Sequence, residues 1–130
     1  MAREKEVIGG DLIISGRKLT LSKAIRAGDY IYVTGQVPFE DGKIMTHGTI
    51  ETQTHAVLQQ VQDILADAGC TLSNVIKSMI WLRDKSDFPG FNTVYGEYFP
   101  EDPPARSAVI SELLVDVKIE IEVIAYDPDK

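Results

Sequence analysis

From residue 117 to 123 the chain alternates strictly, with Ile119, Ile121 and Val123 on one side and Lys118, Glu120 and Glu122 on the other. That is the period-two signature of a half-buried strand. Residues 105–111 alternate too, less cleanly, and 112–116 between them read as a hairpin connection. Residues opposite one another in an antiparallel pair point to the same face of a sheet. A loop of odd length therefore sets Arg106 across from Glu120, Ala108 from Lys118 and Ile110 from Asp116, with Ser107 and Val109 turned inward against Ile119 and Val117. A slip of one residue would instead bury an unpaired Arg106 guanidinium beside Ile119 and Ile121, at a cost of several kcal/mol. The pattern thus predicts a cation set against a carboxylate on one sheet face, which is either a salt bridge or half of a site.

The same reading covers the rest of the chain. Residues 11–15 form a short strand, and 20–36 form two strands joined at Ala27, Gly28 and Asp29. A loop follows over 37–49. From 50 to 68, Val57, Leu58, Val61, Ile64, Leu65 and Ala68 recur at helical spacing, with Thr49 as N-cap and Gly69 as the stop. Residues 74–82 form a strand that is apolar on both faces, with Ile76, Ile80 and Leu82 on one and Met79 and Trp81 on the other. Ser78 is the one polar interruption of the first face. Phe88, Phe91, Val94, Tyr95 and Tyr98 mark a second amphipathic helix, with Pro89 in its first turn and Pro100 beyond its end. With no repeat or linker, residues 1–130 read as a single α+β domain of order β-β-β-α-β-α-β-β. Right-handed crossovers put both helices on one face of a mixed sheet. The other face keeps Met79, Trp81 and one side of the Tyr30/Tyr32/Thr34 strand, more apolar and aromatic surface than a monomer leaves in water, so a partner subunit is expected to cover it.

Composition narrows the chemistry. Hydrophobic residues make up 44% and charged residues 25% of the chain, ordinary for a globular protein. The opening MAREKEVIGG has charges of both signs and no apolar leader core, and no apolar run reaches about 18 residues, so a cytoplasmic protein with no membrane partner is expected. A net charge of −7 opposes a sequence-independent grip on nucleic acid. Cys70, the single cysteine, reads as a small buried filler after the first helix. His47 and His55 have no companion at metal-ligand spacing, and no metal or cofactor is expected. Ser107 lacks a histidine base within sequence reach. The glycines match no phosphate-binding pattern, and the aromatic residues of 88–98 sit at core spacing rather than forming a stacking platform.

The stretches AGDYIYVTGQVP (27–38), TQTHAVLQQVQDILADAG (52–69), FNTVYGEYFP (91–100), PPARSAV (103–109) and VKIEIEVIA (117–125) resemble, in order and spacing, the reactive intermediate deaminases, also called Rid, YjgF-like or endoribonuclease L-PSP proteins. The resemblance spans about four-fifths of the chain. It implies a chorismate-mutase-like α+β protomer in a homotrimer with a central barrel and sites in clefts between subunits. It implies hydrolysis of enamine and imine acids, such as 2-aminoacrylate and 2-iminopropionate, to 2-oxo acids and ammonia without a cofactor. On that resemblance Arg106 binds the substrate carboxylate through its two-pronged guanidinium, and Glu120 places the attacking water and shuttles its proton. Thr34 supplies a hydroxyl, Asn92 lines the cleft, and Gly35 and Ala108 offer backbone groups to the ligand. Two positions depart from the family pattern. Leu21 replaces a tyrosine and makes that wall apolar, which suits a bulkier substrate, and Ala108 replaces a frequent cysteine. Two other readings stay open: a non-catalytic trimer that binds carboxylate metabolites or a protein partner in the same clefts, and an endoribonuclease that inhibits translation.

Overall fold

The computed structural model describes residues 4–129, so the two ends of the expected 1–130 domain lie outside the described residues. Strand β1 (Glu6–Ile14) is longer than the expected 11–15 and pairs antiparallel with β2 (Arg17–Ala27). The turn to β3 (Tyr30–Gln36) falls where the sequence places it, with Gly28 at φ +60°. That left-handed conformation is easy for glycine and strained for most other residues. The stretch expected as plain loop holds a small hairpin, β4 (Phe39–Glu40) and β5 (Lys43–Ile44). Its turn residues Asp41 and Gly42 both have positive φ, and Asp-Gly is a strong two-residue hairpin signal.

Helix α1 (Ile50–Asp67) starts as its cap predicts, with the Thr52 amide donating to Thr49 Oγ1 at 3.2 Å. It ends at Gly69, φ +80°. Its buried stripe of Val57, Leu58, Val61, Ile64 and Leu65 packs on the sheet. Helix α2 (Phe88–Tyr98) carries Pro89 in its first turn and buries Phe91, Val94 and Tyr95. Cys70 is buried as expected, and burial pushes its thiol pKa up.

The six-stranded sheet has the order β1-β2-β3-β8-β6-β7, where β6 is Val75–Leu82, β7 is Ala105–Ile110 and β8 is Ile119–Tyr126. The expected hairpin between β7 and β8 therefore does not exist. β7 lies parallel to β6, to which α2 joins it, and β8 lies antiparallel on the other side of β6. Residues 111–118 pass over the end of β6, pinned where the Ser111 amide donates to Leu82 O at 2.9 Å and the Arg83 amide to Lys118 O at 3.0 Å. The gain is burial: central β8 covers Ile119, Ile121, Val123 and Ala125 completely, which an outer position could not do.

This order reassigns the faces. Ser78 is the neighbour of both Arg106 and Val123, and Ile80 of both Ala108 and Ile121, so Arg106 stands on the helix side of the sheet. Trp81 is the neighbour of Val109 and Glu120, and Met79 of Ser107 and Glu122, so Glu120 stands on the side without helices and Ser107 points there rather than inward. The sheet face rejected from the pattern is the one Arg106 occupies. Its expected penalty does not arise, because β7 is an edge strand exposed along its whole length. An irregularity between Val75 and Lys77 also turns Ile76 outward, 45% exposed, and puts Val75 in the core instead.

Candidate active site

Two groups of polar side chains stand apart. The first lies between β7 and α2. Arg106 Nη2 donates to Asn92 Oδ1 at 2.6 Å. The Arg106 guanidinium carbon sits 4.8, 5.4 and 5.8 Å from the ring centres of Tyr95, Phe91 and Phe88. Beside it on the same face, Ala108 lines an apolar cavity of about 370 Å³ that Phe88 also borders. No carboxylate among the described residues is within ion-pair distance of Arg106, so most of its five donors are open to a ligand.

The second group lies on the helix-free side. A bulge in β3 between Val33 and Gln36 lifts Thr34 and Gly35 toward β8. The Thr34 hydroxyl donates to the Ser22 carbonyl, one residue past the exposed Leu21. Gly35 sits so close to Glu120 that a Cβ there would collide with Oε2. Burial is the main reason the Glu120 carboxyl pKa is raised, and the neighbouring charge of Glu122 raises it further. Next to this group, Ile25, Tyr32, Thr34, Glu122 and Ile124 line a cleft of about 280 Å³.

The structure thus brings Arg106, Asn92 and Ala108 together, and Glu120, Gly35 and Thr34 together, and puts the two groups on opposite faces of one sheet. Within a protomer, Arg106 and Glu120 do not meet. Pattern reasoning also missed the residues that hold each group. Gln36 Nε2 donates to Thr34 O at 2.9 Å, and Gln60 Nε2 donates to Gln36 Oε1 at 3.2 Å and to Val37 O at 2.9 Å, which fixes the bulge from α1. Gln60 gives no sequence signal, because a polar residue on a helix is ordinary. Ser78 does give one, as the polar break in β6: its Oγ accepts from the Tyr95 hydroxyl at 2.9 Å.

Elsewhere, His47 Nε2 lies 2.9 Å from Glu40, and His55 Nδ1 lies 2.9 Å from the Tyr98 hydroxyl. Among the described residues no three His, Cys, Asp or Glu side chains gather as metal ligands, and no helix is long and apolar enough to cross a membrane.

Comparison with known proteins agrees with the fold. The model of the family described as Endoribonuclease L-PSP matches residues 18–127. RutC family protein PH0854 of Pyrococcus horikoshii is 47% identical over 108 residues, 81% of this chain and 85% of that protein. The 3-aminoacrylate deaminase RutC of Acinetobacter baylyi is 39% identical over 105 residues, 79% of this chain and 83% of its own. The crystal structure of yeast Mmf1 superposes with a TM-score of 0.85 at 34% identity, covering 95% of this chain and 98% of that one. The chain belongs to the endoribonuclease L-PSP family, which includes proteins named RutC.

Proposed function

We propose that this protein hydrolyses 2-enamine and 2-imine acids, of the 2-aminoacrylate and 2-iminopropionate type, to 2-oxo acids and ammonia in clefts between the subunits of a homotrimer. The observation that carries the reading is the separation of Arg106 from Glu120. A carboxylate anchor with open donors and a carboxyl with a raised pKa stand on opposite faces of one protomer, so one ligand can touch both only where two copies meet. The apolar, aromatic helix-free face and the exposed edge of β7 supply surfaces for that meeting, since Tyr32 is 47% and Val109 43% exposed. A closed ring of three chains would weigh about 43 kDa. The deaminase activity named for the RutC relative supports the reaction class.

In this reading Arg106 holds the substrate carboxylate by paired N–H donors. Glu120 of the neighbouring copy, ionised, takes a proton from water as the water oxygen attacks the imine carbon, and then delivers it to the nitrogen. Glu120 next moves the proton of the new hydroxyl to the same nitrogen, the C–N bond breaks, ammonia leaves with the electron pair, and the carbon is left as a ketone. Its raised pKa makes Glu120 a stronger base than an ordinary carboxylate. Backbone and hydroxyl groups at Thr34 and Gly35 border the same space. Leu21 leaves the wall beside them apolar.

The test generates 2-iminopropionate from alanine with an amino-acid oxidase and times its decay. Added protein should accelerate decay, and Arg106→Ala trimer should not. Decay at the same rate with folded Arg106→Ala as with wild type would reject the site.

A further inference from the structure

Ser78 is fully buried in an apolar file of β6, where a hydroxyl costs stability unless it is bonded. Among the described residues its hydroxyl is bonded by the Tyr95 hydroxyl alone. Alanine at 78 facing phenylalanine at 95 would fill similar space without any polar pair, so packing alone does not explain the two. Their placement suggests a reason. Ser78 is the sheet neighbour of Arg106, and the ring it tethers is the nearest of three to the guanidinium, at 4.8 Å. Ser78, Tyr95 and Arg106 form a closed triangle, with Asn92 gripping Nη2 from the same helix.

We propose that Tyr95, its ring held in place by Ser78, is a positioning residue for Arg106: it seats the guanidinium on an aromatic platform so that the open edge of the fork is already aimed at an incoming carboxylate. The inference rests on the reading of Arg106 as the carboxylate anchor. An arginine on an exposed edge strand has several free torsions, and freezing them at the moment of binding costs affinity. A cation stacked on a ring is partly ordered beforehand. Phe91 and Phe88 widen the platform but lack a hydroxyl, so only Tyr95 is fixed to the strand next to Arg106. Burial keeps the Tyr95 hydroxyl protonated above its usual range, so it keeps donating to Ser78 at any working pH.

Two measurements test this on the intact protein. The first follows the Arg106 Nε–Hε signal by NMR in ligand-free wild type, Tyr95→Phe and Tyr95→Leu. Arg106 should be most ordered in wild type, less ordered in Tyr95→Phe, whose ring has lost its tether to Ser78, and mobile in Tyr95→Leu. The second measures pyruvate binding by calorimetry in the same proteins and in an Arg106→Lys background. Tyr95→Leu should weaken pyruvate about five- to thirtyfold, the range expected for a stacked cation. Tyr95→Phe should stay within about threefold, since the ring remains. Tyr95→Leu should have little further effect once Arg106 is lysine, because the two changes act through one contact. Equal Arg106 order in Tyr95→Leu, or equal weakening in both backgrounds, would overturn the proposal. Wild type that binds no pyruvate while Arg106 is ordered would refute the carboxylate anchor instead, and the NMR comparison would still decide the platform.

Discussion

Gly35 and Glu120 are in such close contact that the smallest side-chain addition separates them. The atom a new Cβ would strike is the tip of a flexible carboxylate rather than backbone. Gly35→Ala should therefore displace Glu120 and leave the fold intact: imine turnover should drop at least tenfold while Tm moves by only a few degrees, as decay kinetics and thermal melts on one preparation would show. Proton linkage at Glu120 runs in two directions. Its folded pKa is raised, so the native state holds a proton that the unfolded chain has already lost, and this contribution to stability fades as pH climbs from the ordinary carboxylate range through the raised value. Activity should rise over the same window, because the ionised form is the base. Glu122→Gln removes the second cause of the shift and should move the acid limb of kcat to lower pH. An unmoved limb would assign it to another group. The contact between Gly35 and Glu120 was not legible beforehand. Glu120 stood out from its alternation, but the bulge that brings Gly35 against it depends on the Gln36 and Gln60 amides, and polar residues in a strand and on a helix announce nothing.

Most elements with local causes were read correctly, the Asp41-Gly42 hairpin excepted, and those set by distant partners were not. Thr49, the stripe from Val57 to Leu65 and Gly69 define α1 within its own sequence, and Gly28 defines the β2–β3 turn. The strand order does not work this way. A short polar stretch between two alternating segments is the usual mark of a hairpin, yet residues 111–118 span β6, whose place was fixed some thirty residues earlier by the crossover through α2. Misreading that one connection put Arg106 and Glu120 on the same face. A second long-range tie was equally invisible: Arg26, buried, donates from Nη2 to Ala68 O and to Asp127 Oδ2, both at 3.0 Å, and so clasps the end of α1 to the end of β8. The bond from Arg26 is the main cause that lowers the Asp127 pKa. A lowered folded pKa contributes stability above the unfolded value, and that contribution is lost as pH falls through the folded one. Asp127→Asn should therefore lower Tm clearly at pH 7 and much less near pH 3. Equal losses at both would mean the clasp owes nothing to charge.

In the proposed function, assembly would join the two half-sites into one. The helix-free face was legible as a surface needing a cover, because Met79 and Trp81 face away from the helices and Tyr32 lies bare. That the cover would also complete the chemistry is what the family resemblance implies and what the proposed function adopts. With a net charge of −7, the protein should also deaminate at nearly the same rate in 50 and 200 mM salt, whereas phosphate-backbone binding would weaken by orders of magnitude. The sharpest test of a site shared between copies is subunit mixing. Arg106→Ala and Glu120→Ala trimers should each be inactive. When they are dissociated together and reassembled at equal amounts, about one cleft in four should pair an intact Arg106 with an intact Glu120 from the neighbouring copy. Imine hydrolysis should then return to roughly a quarter of the wild-type rate. Mixed trimers that demonstrably form but recover no activity would contradict the shared site.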